Sequence, residues 1–306
     1  MLNRRILRIK AFKVLYAYAE NPDLSLKEAL GSLEASCEAT RDLYLYMLEV
    51  IEALTQEAAR RTEAARTKFN PTQDELHPNL KFVRNGIAAL LEQDPDFRKL
   101  LEKKKLSWDQ NDAFVHTLYE NLKTRPYYQA YMQDPEQSLA GDAALWKQVF
   151  QTEFEDDETL WAILEDQSIH WADDLPYVLG CVIRSLEEMG RTGRWSYPPL
   201  YQADAHDFIR SLITAAYGRY AEYYDLIAGS VSKWDQDRLY TTDIVLIGMG
   251  LAEAETCPDI PLRVTINEYV EISKYYSTPK SRGFVNGLLD RLIKDRMAKG
   301  IINKTV

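Results

Sequence analysis

Residues 259–290 read DIPLRVTINEYVEISKYYSTPKSRGFVNGLLD, with apolar positions three and four apart on both sides of a short break at Ser277, Thr278 and Pro279. That spacing predicts two consecutive amphipathic helices, about 265–276 and 281–298. Thr265 and Glu268 stand in capping-box register: the threonine oxygen would accept from the backbone at Glu268, and the glutamate would reach back. Ile266, Val270 and Ser273 then face inward, and Phe284, Val285, Leu288 and Leu292 form the stripe of the second helix. The head of that helix combines free backbone N–H groups and a positive dipole end with Lys280 and Arg282. This suits a phosphate, and equally describes an ordinary exposed helix start.

Working outward, the same period extends through nearly the whole chain, with few Gly and Pro residues to interrupt it. Leu7, Ala11, Val14, Leu15 and Tyr18 form one stripe of the first segment, with Arg5, Arg8, Lys10 and Lys13 on its remaining faces. Asn21-Pro22-Asp23 ends it. Further helices are expected at 25–33, 35–67, 73–92, 96–105, 108–124, 125–133, 142–154, 157–167, 172–190, 203–230 and 235–254. The stretch from Gly190 to Pro199 reads as a linker. No segment alternates polar and apolar residues long enough to make a sheet, so the fold class is all-α.

The 306 residues carry a formal charge of −10, and 46% of them are hydrophobic. The total opposes nucleic-acid binding, whose electrostatic footprint is basic, but the charges are unevenly placed. Residues 133–189 hold fourteen acids against Lys147 and Arg184, a net −12, which leaves +2 for everything else. Residues 1–19 contain Arg4, Arg5, Arg8, Lys10 and Lys13 and no acid. Such a stripe suits an anion, or is the solvated face of an amphipathic helix. The other end is basic too, with Lys280, Arg282, Arg291, Lys294, Arg296, Lys299 and Lys304 against Asp290 and Asp295. Three scattered cysteines (Cys37, Cys181, Cys257) form no disulfide framework and point to a reducing, cytoplasmic setting. No apolar run reaches membrane-spanning length, and no signal peptide is recognisable.

Catalytic chemistry is not apparent. There is no phosphate-binding glycine loop, the four histidines are isolated, and no Cys or His has metal-ligand spacing. Glu155, Asp156, Asp157 and Glu158 read as a solvated acidic turn leading into a helix, in preference to a catalytic carboxylate pair. Gly248 and Gly250, inside an apolar helical run, read as sites of close helix packing. No enzyme activity, cofactor or metal is expected.

At its two ends the sequence resembles the NusB family of bacterial transcription antitermination factors. Residues 3–16, NRRILRIKAFKVLY, are similar to that family's arginine-rich first helix. The stretch from Asp259 to Glu268, followed by Glu271, Lys274, Ser277, Ser281 and residues 284–290, is similar to its closing signature, and Trp234, Arg238, Leu239 and Asp243 to the helix pair before it. The resemblance covers about 1–30 and 203–300. It implies helical bundles in which 1–30 supply the first helix, 31–200 form an inserted helical region, acidic in its second half, and 201–306 complete an RNA-binding domain.

The resemblance further implies binding to boxA RNA of ribosomal RNA leaders together with the ribosomal protein NusE, within the RNA polymerase antitermination complex. Arg4, Arg5 and Arg8 fall in the family's RNA-binding arginine motif, and Lys280, Ser281, Arg282 and Phe284 at its C-terminal RNA-facing loop. Phe284, being in the core stripe, is expected to support that loop. Tyr16 and Asp243 fall where family members meet NusE. Two departures stand out: Gly248 replaces an arginine, and Lys280 stands where an acid is common. A competing reading is a helical protein-interaction adaptor in ribosome assembly, with the acidic region docking a basic partner and RNA binding secondary.

Overall fold

A computed structural model of the chain describes residues 1–171, 173–231 and 239–304. Among the described residues it contains fifteen α-helices and no strand, in keeping with the all-α expectation. The chain forms two compact units: unit 1 combines Met1–Cys37 with Pro199–Val306, and unit 2 is Glu38–Pro198.

Helix α1 (Arg4–Glu20) is capped by Asn3, whose Oδ1 accepts from Ile6 N at 3.0 Å. Leu7, Ala11, Val14 and Leu15 are buried as the stripe requires, but Arg8 and Lys10 are buried too. They were expected on solvent-facing sides of the helix; each is instead held by a polar partner, Lys10 Nζ by Ser36 Oγ at 3.1 Å. Helix α2 (Leu26–Arg66) is one 41-residue helix where two were expected. Ala29, Leu33, Cys37, Thr40 and Tyr44 keep the buried stripe continuous across Gly31. A helical glycine costs about 1 kcal/mol relative to alanine, less than one buried leucine contributes, about 1.5–3 kcal/mol.

Unit 2 continues α2 with α3 (Gln73–Leu76), α4 (Gly86–Gln93), α5 (Pro95–Lys104), α6 (Asp112–Thr124), α7 (Pro126–Gln133), α8 (Leu139–Thr152), α9 (Glu158–Gln167) and α10 (Leu175–Thr192). The single helix expected over 73–92 is divided, because Pro78 pushes His77 out of the helical region (φ −124°, ψ 60°). Aromatic packing fills the core: Phe82 lies 5.2 Å from the Tyr128 ring and 5.4 Å from that of Trp146, and Trp108 stacks on Tyr46 at 4.2 Å.

Part of the acidic block is internal to this unit. Asp142 accepts from Gly86 N and Tyr131 Oη, both at 2.6 Å; Asp174 accepts from Thr40 Oγ1 at 2.6 Å; Glu153 binds Arg125 and Tyr127. Asp157 caps α9 through Leu160 N at 2.8 Å, the helix-start role expected in the acidic turn.

Burial pushes the Glu49 carboxyl up to about 8, Glu52 and Asp109 add to the shift, and its Oε2 lacks a hydrogen bond. Folding therefore takes up a proton between the ordinary carboxylate pKa of 4.5 and about 8, so stability falls as pH rises through that window. From about pH 5 to 8, Glu49→Gln should remove part of the decline in melting temperature that the wild-type chain shows. Parallel melting curves for the two proteins would refute this.

The rest of unit 1 is α11 (Ala205–Gly218), α12 (Tyr220–Gly229), α13 (Thr241–Thr256), α14 (Leu262–Tyr276) and α15 (Ser281–Ala298). Trp234 and Arg238, and residues 235–238 of an expected helix, lie outside the described residues. Helix α13 is buried on all sides from Asp243 to Ala254, as its nearly uniform apolar composition demands. It packs against α1, α11, α12, α14 and α15. A Cβ on Gly250 would meet Leu289 Cδ2 at 2.7 Å and the Tyr269 ring at 3.3 Å, so glycine permits this close approach.

The single helix expected over 203–230 is interrupted at Arg219 (φ −118°, ψ 18°). Helix α14 begins at Leu262 after Pro261, one turn before the expected capping box. Thr265 and Glu268 are therefore inside the helix, and their side chains serve other partners.

Candidate nucleic-acid interface

The basic N-terminal helix α1 meets α14 within unit 1. Arg5 on α1 grips Glu268 on α14 through Nε (2.9 Å) and Nη2 (2.7 Å). Further along, the Phe12 ring lies 5.3 Å from that of Tyr276, and Lys13 Nζ stands 5.8 Å from the Tyr276 centroid. Contacts advance from Arg5 to Phe12 on α1 and from Glu268 to Tyr276 on α14, so the helices run side by side in the same direction. At 1.5 Å per residue this aligned stretch is roughly 11–12 Å long. It has an arginine pair at one end and the turn into α15 at the other.

The expected RNA-binding residues occupy distinct environments. Arg4 pairs with Asp204 and lies over the Phe208 ring at 5.2 Å. Its side chain and that of Arg5 remain 38% and 51% exposed. Arg5 holds the Glu268 carboxyl below the usual range chiefly by hydrogen bonding. Pairs this exposed are worth about 0–1 kcal/mol, so another anion can take the carboxylate's place.

Arg8 is different. Its side chain is 3% exposed and its fork binds Glu253, itself fully buried, at 2.7 and 2.9 Å. Thr265 Oγ1 (2.8 Å) and Tyr269 Oη (3.0 Å) complete the Glu253 carboxylate, giving each oxygen two donors. Burial works against the charged form of Arg8, but the hydrogen bond to Glu253 prevails and its pKa is raised. Arg8 is thus buried inside the unit, although it shares the Phe208 ring with Arg4 and lies 3.8 Å from the Glu268 carboxylate that Arg5 grips.

At the other end, Asp243 is 2% exposed and organises the turn between α14 and α15. It accepts from Ser277 Oγ at 2.7 Å and from Ser281 Oγ at 2.8 Å, and those hydroxyls are 2.8 Å apart. Ser281 is consequently buried in a clamp, and Asp243 does not present its carboxylate at the surface. Lys280 and Arg282 are exposed on either side of Ser281, with no ion pair among the described residues; Phe284 is half-buried. Tyr16 is 37% exposed on α1, its ring 6.2 Å from that of Phe12.

Glu253, which the sequence did not single out, and Glu268, expected in a helix cap, instead fix Arg8 and Arg5. Glu253 had a visible signal, being the lone acid within the apolar run 244–254. A carboxylate there requires a cation. Among the described residues no group of three or more His, Cys, Asp or Glu is placed to hold a metal ion, and no helix is long and apolar enough to cross a membrane.

The NusB family model matches residues 187–294, which contain α11–α14 and most of α15. A transcription antitermination protein NusB of Chloroherpeton thalassium is 33% identical over 121 residues, which is 39% of this chain and 57% of that protein. The chain thus spans little more than half of this relative's length. The NusB protein of Methylacidiphilum infernorum is 40% identical over 101 residues, 33% of this chain and 70% of its own. That of Listeria monocytogenes is 32% identical over 90 residues, again 70% of its length. No solved structure matches the chain. With α13, α14 and the clamped turn into α15 all inside the matched region, and most of two relatives' length aligned above 30% identity, the chain belongs to the NusB family.

Proposed function

We propose that this protein is a non-enzymatic transcription antitermination factor that binds boxA RNA of ribosomal RNA leaders together with NusE. It would act in the cytoplasm as part of an RNA polymerase antitermination complex. The observation that carries the reading is the side-by-side run of α1 and α14. It aligns exposed Arg4 and Arg5 with Lys13, and leads to exposed Lys280 and Arg282 at the turn into α15. Cations arrayed in this way suit the phosphates of a single strand. Arg8 is given a positioning role, holding α1 through Glu253, and Ser281 and Asp243 hold the turn. Tyr16 is kept as a NusE-facing residue, and Phe284 as support for the α15 head. Unit 2 is read as an insertion, since the chain leaves unit 1 after Cys37 and returns at Pro199.

The test is fluorescence anisotropy of a short boxA RNA titrated with the full chain, with and without NusE. Binding that weakens linearly on a log–log salt plot, and tightens with NusE, is expected. No binding under either condition would overturn the proposal. The adaptor reading requires NusE capture without RNA.

A further inference from the structure

We propose that Tyr275 is a stacking platform for an unpaired base of the bound RNA; this rests on the RNA-binding reading above. Tyr275 lies in the last turn of α14 and is 81% exposed, with no hydrogen bond or ring contact among the described residues. Tyr276 beside it is engaged, packing near Phe12 with Lys13 over its ring. A single exposed aromatic is unremarkable on a protein surface. The setting of Tyr275 gives it a use.

Its backbone is held on both sides. Upstream lies regular helix; two residues downstream Ser277 is fastened to Asp243, and Thr242 Oγ1 and Ser281 Oγ also lie within 3.1 Å of the Ser277 hydroxyl. The same clamp presents Lys280 and Arg282 outward. An aromatic face is therefore fixed a few residues from two exposed cations. Tyrosine loses little conformational freedom on contact, and every base offers a π-face to it. The cations favour a polyanion over a neutral or basic peptide as the occupant. Phosphates on Lys280 and Arg282 would bring a neighbouring base onto Tyr275, so the tyrosine adds affinity that does not depend on counterion release.

The experiment measures binding of a short single-stranded boxA RNA, carrying 2-aminopurine at successive positions, to the full-length wild type, Tyr275→Phe and Tyr275→Ala. Base stacking on an aromatic is worth about 1–3 kcal/mol, so Tyr275→Ala should weaken binding roughly 5- to 150-fold. Its salt slope and melting temperature should match the wild type. Tyr275→Phe should bind within about twofold, and quenching of one 2-aminopurine position should be lost only in the alanine variant. Wild-type binding that Tyr275→Ala leaves within about twofold overturns the stacking role and spares the RNA-binding reading. A parallel loss of salt slope overturns it as well, since that marks a displaced cation site. Failure of the wild type to bind RNA overturns both.

Discussion

Arg8→Ala should lower the stability of unit 1 by about 3–5 kcal/mol, the cost of leaving a buried charge without its partner. Glu253 is fully buried and receives four hydrogen bonds, two from Arg8 and one each from Thr265 and Tyr269. Removing the guanidinium leaves the buried carboxylate with two hydroxyl donors and no cation bonded to it. Lysine should not rescue the site, because a compact ammonium cannot engage both carboxylate oxygens as the planar fork does. Arg5→Ala breaks an ion pair of the same geometry at the surface and should cost less than about 1 kcal/mol. With two units in one chain, a single melting temperature mixes their transitions. The decisive measurement is hydrogen exchange of the α13 amides, which should accelerate strongly in Arg8→Ala and little in Arg5→Ala. Equal protection in the two variants would show that the buried pair contributes nothing special.

The second large effect concerns RNA. A triple variant, Arg5→Ala with Lys280→Ala and Arg282→Ala, removes three exposed cations while leaving the buried network intact. On a single strand each phosphate contact contributes about 0.7 to the log–log salt slope, so the slope should fall by about 2. The consequence is roughly a 100-fold loss at 0.1 M salt that nearly vanishes at 1 M. An affinity loss constant across salt concentrations would mean that the variant has changed shape, and no loss would remove these residues from the interface.

The architecture of α14 and α15 was legible because periodicity and the Ser-Thr-Pro break are local signals. The interior role of Arg8 was not: its partner is 245 residues away, and a helical wheel places it beside Arg5 and Lys13 without distinguishing them. The capping box at Thr265 misled for a similar reason. Its two side chains are recruited by Glu253 and Arg5, long-range partners that outcompete a local cap. Asp243 shows the same limit. The family resemblance put it at a partner surface, whereas two serines, both more than thirty residues later in the chain, draw it into the clamp. Local pattern read which segments are helices; it could not read which polar groups those helices enclose.

The discontinuity of unit 1 has a consequence during synthesis. All of unit 2 is encoded without interruption, so its chain is complete once residue 198 has left the ribosome. Helix α1 is made before unit 2, yet Arg8 must await Glu253, which at about 5–20 residues per second is a delay of roughly 12–50 s. Throughout that interval Arg8 lacks its buried acid and Arg5 lacks Glu268. The nascent chain thus carries a cationic helix without its buried counter-charge until residue 253 has been made.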